Sequence, residues 1–304
     1  MEFDNSQLIG LNNMGNTCFF NSILQLLYQC TIFNKLIIEN DFDSEFLLIY
    51  KNFLIQYQQI HNNQKYLHSE IVNYVCNKLE RKKWQQEDAE QYLNYIIDSL
   101  TEELKLNDEY IIQGKNIKLI ELIDCLFNLK MKKIIECPLC EHKSFTDETN
   151  NKLYLSINNL NHKSDLTFES LLQSYMYENL DFDNQYKCEK CLNMCKATIC
   201  RKIEKMPKYL IIVTKRYSNL NQKLDMSIQM PMKFNIVDKK YSLRGIVYHS
   251  GSTTGGHYVY YGNKTNNDKL SQWYLFNDSN VSLIDLNILS SIINYGYIYL
   301  YVSK

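Results

Sequence analysis

Gly10-Leu11-Asn12-Asn13-Met14-Gly15-Asn16-Thr17-Cys18-Phe19-Phe20-Asn21-Ser22 is the stretch on which the reading of this chain turns. Small and amide residues crowd the turn before Cys18, so backbone N–H groups there can come close to a ligand. Directly after it, Phe20, Ile23, Leu24, Leu27 and Tyr28 recur at the i, i+3, i+4, i+7, i+8 spacing of one helix face. Cys18 is therefore expected at or near a helix N-terminus, where the helix dipole favours an anion and lowers a thiol pKa from its ordinary value of about 8.5. Taken alone, the stretch leaves two readings open, a nucleophile and a buried structural cysteine.

Outward from Cys18 the first third of the chain keeps the helical period. Phe46, Ile49, Tyr50, Phe53, Leu54 and Tyr57 form one stripe, and Tyr92, Leu93, Ile96, Ile97, Leu100 and Leu104 another. Glu80-Arg81-Lys82-Lys83 between them reads as a solvated face. From about residue 130 the texture turns to β. The runs from Leu153 to Ile157, Tyr209 to Tyr217, Tyr241 to His249, Tyr258 to Tyr261, Trp273 to Phe276 and Tyr297 to Val302 are aromatic or β-branched and bounded by turn residues. One helix, about Phe168 to Tyr177, interrupts them. Helices first and strands afterwards predict an α+β fold with an antiparallel sheet.

A chain of 304 residues can bury its own core but leaves little room for a second large domain, so a single elaborated domain is expected. A net charge of -1 argues against a general nucleic-acid binder. The longest aliphatic run, Leu210-Ile211-Ile212-Val213, is far short of the roughly 20 residues a membrane span needs. Met1-Glu2-Phe3-Asp4-Asn5 does not read as a secretory signal, so the ten cysteines point to a reducing compartment.

A thiolate nucleophile needs a base and an orienting group. His61, His68, His142 and His162 lie in polar stretches and are expected at the surface. His249 and His257 flank Ser250-Gly251-Ser252-Thr253-Thr254-Gly255-Gly256, and His257 is the better base because the preceding glycines admit a substrate backbone. Twenty residues on, Asn277 and Asp278 end another strand, and either can fix the imidazole tautomer.

Cys137-Pro138-Leu139-Cys140 and Cys188-Glu189-Lys190-Cys191 are two CxxC pairs, whose thiolates could close one tetrahedral structural zinc site. A redox CxxC and coincidence remain open, since the intervening length exceeds that of a compact zinc ribbon. Cys30, Cys76 and Cys125 read as core, while Cys195 and Cys200 are near enough to the second pair to compete as ligands.

Together these segments resemble the ubiquitin-specific protease family of deubiquitinating enzymes, from about Gly10 to Tyr301. Gly10 to Ser22 resembles its Cys box, and His249 to Tyr261 with Trp273 to Val281 its His box. Gln86-Glu87-Asp88-Ala89 is similar to its short acidic motif, and Lys215-Arg216-Tyr217 to the end of the strand before its palm. The resemblance implies a papain-like cysteine protease hand: a helical thumb over about 8–125, zinc-ribbon fingers over 126–208 and an antiparallel β palm over 209–304.

The same resemblance implies the roles. Cys18 would be nucleophile, His257 base and acid, Asn277 or Asp278 the orienting residue, and Asn13 an oxyanion donor. Gln86, Asp88, Tyr217, Gly255, Gly256 and Tyr258 would line the path of the ubiquitin tail, with Asp88 facing an arginine of that tail. The four CxxC cysteines would hold one structural zinc, with no cofactor in catalysis. The implied activity is hydrolysis after the C-terminal glycine of ubiquitin through a thioester, on ubiquitinated proteins, inside the cell in nucleus or cytoplasm. Asn277 stabilises an imidazolium less than a carboxylate would, which implies modest activity or dependence on an activating protein partner. A catalytically weak ubiquitin-binding scaffold and an isopeptidase for a ubiquitin-like modifier are the alternatives.

Overall fold

The computed structural model describes residues 7–60, 68–81, 85–105, 110–112, 115–117, 119–157, 166–217, 222–253, 255–264 and 272–304. The expectations placed on His61, His162, Lys82, Lys83 and Thr254 lie outside the described residues.

Among the described residues five helices come first, α1 (Cys18–Tyr28), α2 (Thr31–Glu39), α3 (Glu45–Gln59), α4 (Ser69–Lys78) and α5 (Ala89–Lys105), and a short antiparallel pair, Tyr110–Ile112 with Lys115–Ile117, then leads to α6 (Leu119–Phe127). The expected stripes bury as predicted, except that α1 is buried on every face and not on one. Its polar residues survive there because each finds a partner. The Gln25 side chain donates to Ile9 O and to the Tyr57 hydroxyl, and Asn21 donates to Leu11 O. A central helix whose buried amides donate to the backbone around them holds its first residue, Cys18, in a fixed place.

The sheet behind α1 runs in the order Asn280–Ile284, Gln272–Asn277, Gly256–Lys264, Lys239–Gly251, Ile298–Ser303, Tyr209–Lys215, Leu153–Ser156. Lys233–Ile236 adds an eighth strand beside Lys239–Gly251. All pairings are antiparallel except that of Leu153–Ser156 with Tyr209–Lys215, which is parallel and departs from the all-antiparallel expectation. Strand alternation explains the uninterrupted apolar run. Tyr209, Ile211 and Val213 face the helical core, while Leu210 and Ile212 face a second core under α7 (Phe168–Met176) and α8 (Leu286–Ile293). Both faces are covered, so polar alternation is absent.

A separate four-stranded antiparallel sheet, Lys143–Asn150, Leu129–Glu136, Ala197–Lys205 and Tyr177–Leu180, projects from this body. Its far end carries the two CxxC turns. Among the described residues no helix is long and apolar enough to cross a membrane.

Two burial expectations fail. His68 is buried, because its ring packs against Phe20 and Phe53 and not in a polar loop. Cys125 is exposed, at the edge of α6, where its sulfur accepts a hydrogen bond from Lys205 Nζ at 3.1 Å.

Candidate active site

Cys18 opens α1 with only 3% of its surface exposed. The turn before it is held by Asn13. The Asn13 Oδ1 accepts from the backbone N–H groups of Gly15 (3.0 Å) and Thr17 (3.1 Å), and its Nδ2 donates to Asp278 Oδ2 at 2.9 Å. Two donors on one side and an acceptor-only carboxylate on the other leave one orientation for this amide. Gly15 and Asn16 complete the turn at φ 91° and 56°.

The strand Gly256–Lys264 passes directly beside the thiol. The Cys18 pKa is pushed up by burial, drawn back by the Tyr258 backbone N–H, and pushed up again by the Asp278 carboxylate. The sequence led to the opposite expectation of a lowered pKa. Burial of the sulfur outweighs the helix terminus here.

His257 precedes Tyr258 on that strand, and its Nε2 lies 2.6 Å from Asn277 Oδ1 on a neighbouring strand. A carbonyl oxygen only accepts, so the proton of the neutral ring sits on Nε2 and Nδ1 keeps its lone pair. Asp278 does not share this task. Its Oδ1 accepts from Asn21 Nδ2 at 2.7 Å, its Oδ2 from Asn13, and its backbone oxygen from the Leu11 N–H at 2.9 Å. Asp278 therefore stitches the end of the sheet to the turn before α1. Gly10 permits the approach, because a Cβ there would lie 2.4 Å from the Ser279 carbonyl carbon.

A cleft of about 310 Å³ is lined by Gln86, Asp88, Tyr217, His249, Gly255 and Tyr258 among others, and Tyr258 is also the residue whose backbone N–H meets the Cys18 thiol. Gln86, expected as a contact in this path, bonds the Gly256 backbone on both sides. Asp88 is held by the Tyr297 hydroxyl, 3.0 Å from each carboxylate oxygen, and it accepts from the Glu90 N–H at 2.7 Å. Burial raises its pKa, against these hydrogen bonds. Tyr217 places its hydroxyl 2.8 Å from His249 Nδ1. Burial first, then the Lys223 ammonium, pushes His249 down to about 4, so the ring is neutral and not a second acid. Lys223 Nζ donates to His249 O (2.8 Å) and Gly251 O (3.2 Å), fixing the base of the glycine-rich loop.

The four CxxC sulfurs lie within 4.8 Å of one another. Both turns have the same build. The Cys137 N–H donates to His142 O and the Cys188 N–H to Asn193 O, while the residue after each second cysteine, Glu141 and Leu192, takes a positive φ of 56° and 61°. Cys137 and Cys188 are buried, and Cys140 and Cys191 half-buried. Cys195 joins this group, and Cys200 does not.

Sequence reasoning missed Asn21, Tyr297 and Lys223. Asn21 could have been flagged, with Ser22 and Gln25, as a polar residue on a mostly apolar helix. Tyr297 and Lys223 carried no local signal, since their partners lie 209 and 26 residues away.

The chain matches the family described as ubiquitin carboxyl-terminal hydrolase over residues 9–301. It is 26% identical to ubiquitin carboxyl-terminal hydrolase 5 of Saccharomyces cerevisiae, over 90% of this chain and 42% of that protein. It is also 26% identical to ubiquitin carboxyl-terminal hydrolase 4 of Arabidopsis thaliana, over 99% of this chain and 94% of that protein. It thus spans less than half of the yeast relative and nearly all of the plant one. Its fold is similar to that in the SAGA Ubp8/Sgf11/Sus1/Sgf73 DUB module bound to ubiquitin aldehyde, with a TM-score of 0.77, 23% identity, and coverage of 100% of this chain and 71% of that chain.

Proposed function

Because the chain belongs to the ubiquitin carboxyl-terminal hydrolase family, we propose that it is a deubiquitinating cysteine protease that cleaves after the C-terminal glycine of ubiquitin. The observation that carries this reading is the meeting of Cys18, at the start of a buried helix, with the strand bearing His257, whose ring is paired to Asn277.

In this reading His257 Nδ1 takes the Cys18 proton and the thiolate attacks the glycine carbonyl. The Cys18 backbone N–H and the second Nδ2 hydrogen of Asn13 donate to the oxyanion. The lysine amine leaves with the proton from His257, and water, deprotonated by the same ring, hydrolyses the thioester. Asn277 orients the imidazole. Asp278 is a positioning residue that aims Asn13. Gly255 borders the cleft without a side chain to obstruct the tail, and Gly256, tied to Gln86, holds the strand that leads into His257. Gln86, Asp88, Tyr217 and Tyr258 line the way in.

The division into thumb (8–125), fingers (126–208) and palm (209–304) is part of the proposal, supported by the helical block, the projecting sheet and the large sheet. So is one structural zinc on Cys137, Cys140, Cys188 and Cys191. Tetrahedral zinc with Zn–S of about 2.3 Å sets ligand sulfurs about 3.8 Å apart. The sulfur pairs Cys137–Cys191 and Cys140–Cys188 stand at 3.8 and 3.6 Å. Zinc there would cross-link the two turns, and four thiolates leave no position for substrate. All ten cysteines are free, which suits action inside the cell, in nucleus or cytoplasm. The relative of similar fold sits in a multi-protein module; a buried, protonated Cys18 supports a comparable dependence on an activating partner or on substrate.

The test is hydrolysis of a ubiquitin C-terminal fluorogenic amide. The chain should turn it over, and Cys18→Ala should bind ubiquitin without turnover. Turnover by Cys18→Ala would refute the assignment.

A further inference from the structure

Five thiols, not four, meet at the tip of the projecting sheet. Cys195 Sγ lies 3.8 Å from Cys137 Sγ, the same separation as between Cys137 Sγ and Cys191 Sγ. That is the spacing of two sulfurs sharing a tetrahedral zinc. Cys195 stands outside the compact set of four, against its Cys137 side.

Its place in the chain is informative. Tyr186–Lys187 pairs with Met194–Cys195, and this short hairpin carries Cys188 and Cys191 between its strands. Cys195 is 7% exposed, and its surroundings are the other four cysteines and Tyr186. A buried cysteine in an apolar core needs no further explanation. This one sits in a small cluster made of the other cysteines and Tyr186 and not of aliphatic side chains. Its other polar neighbour is Tyr186 O at 3.6 Å, a weak S–H contact.

The four expected ligands are not equivalent. Cys137 and Cys188 are buried, while Cys140 and Cys191 are half-buried and open to water and electrophiles. Cys191 and Cys195 belong to one hairpin and stand equally far from Cys137. Exchanging one for the other keeps two ligands from each segment.

We propose that Cys195 is a reserve ligand of the zinc site, which replaces Cys191 when that thiolate dissociates or is blocked. In the exchange the Zn–S bond to Cys191 breaks and the bond to Cys195 forms. The Cys195 S–H proton passes to solvent, and Cys191 takes one up if it is free to do so. The ion keeps four thiolates. This inference rests on the zinc reading above.

The test is cobalt(II) and zinc binding by the full chain as wild type, Cys191→Ser, Cys195→Ser and the double variant. Cobalt absorption distinguishes four thiolates from three. Wild type and Cys191→Ser should both bind one equivalent with a four-thiolate spectrum. The double variant should show three thiolates and bind zinc roughly tenfold or more weakly, the scale on which supporting groups act at such sites. A three-thiolate spectrum in Cys191→Ser would overturn the proposal. If Cys191→Ser does not fold, the rate of zinc loss to excess chelator decides. Cys195→Ser should lose zinc several-fold faster than wild type, and equal or slower loss would overturn the proposal. A wild type that binds no metal would instead refute the zinc reading itself, and the proposal with it.

Discussion

Gln86 and Gly256, 170 residues apart, are joined by two hydrogen bonds through one carboxamide: Gln86 Nε2 donates to Gly256 O at 2.5 Å, and the Gly256 N–H donates to Gln86 Oε1 at 2.9 Å. The side chain pairs with this strand as a neighbouring backbone would. It thereby ties the residue before His257 to the segment leading into α5. A Cβ on Gly256 would lie 2.3 Å from His249 Nε2, so glycine is required at that point.

Gln86→Ala should lower kcat/KM about tenfold, the worth of two hydrogen bonds of about 1 kcal/mol or less each at a partly exposed site. Gln86→Glu should not restore it, because a carboxylate accepts from the Gly256 N–H but repels the Gly256 oxygen. Steady-state kinetics on a ubiquitin amide checks both. Wild-type kinetics in the glutamate variant would show that only one of the two bonds matters.

Asp278 and Asn277, adjacent in sequence, should fail differently. Asp278→Ala frees the Asn13 amide and should lower kcat by about a hundredfold, the usual loss when an oxyanion donor is removed. Asn277→Asp should preserve turnover and move the acidic limb of the kcat/KM pH profile upward, because a carboxylate favours the charged imidazole. An unmoved limb would dissociate Asn277 from His257.

His249 should make the fold acid-sensitive. Its pKa falls from an ordinary 6.5 to about 4 in the folded chain. Between these values the unfolded chain binds a proton that the folded chain does not, so stability is full above 6.5 and declines as pH falls toward 4. Thermal unfolding of wild type should show a lower Tm at pH 5 than at pH 7, and His249→Gln should shrink that difference. An unchanged difference would place the acid sensitivity elsewhere.

Arg216 is a buried cation whose hydrogen-bond partners, among the described residues, are backbone carbonyls and not carboxylates. Its guanidinium donates to the carbonyls of Gly296, Leu224, Met226 and Asn294. Lysine cannot reproduce this fork, so Arg216→Lys should cost about 2 kcal/mol or more and lower Tm by several degrees. A variant with unchanged Tm would mean that water replaces the fork at no cost.

The helical stripes and the strands of the large sheet were legible because their burial pattern is written in aromatic and aliphatic residues. The strands of the projecting sheet were not. Leu129–Glu136, Lys143–Asn150 and Ala197–Lys205 are largely half-buried or exposed and rich in charge, so they carry little period-two signal. At the candidate site, residue type and order single out Cys18, His257 and the pair Asn277 and Asp278. They do not choose between Asn277 and Asp278, because the choice depends on a turn in which Asp278 takes φ 50° and points back to Asn13. The thiol pKa was misjudged for a related reason. A helix start is visible in sequence, but burial of α1 on every face is a property of its neighbours.

The central claim is that Cys18 is the nucleophile of a ubiquitin-directed protease. Intact mass after mixing the full chain with ubiquitin bearing a thiol-reactive electrophile at its C-terminus tests it most directly, with a ubiquitin-like modifier probe in parallel. The account predicts one ubiquitin adduct, mapped by peptide analysis to Cys18, lost in Cys18→Ala and absent with the other probe. An adduct on another cysteine, or none from folded and metal-loaded protein that still binds ubiquitin, would contradict it.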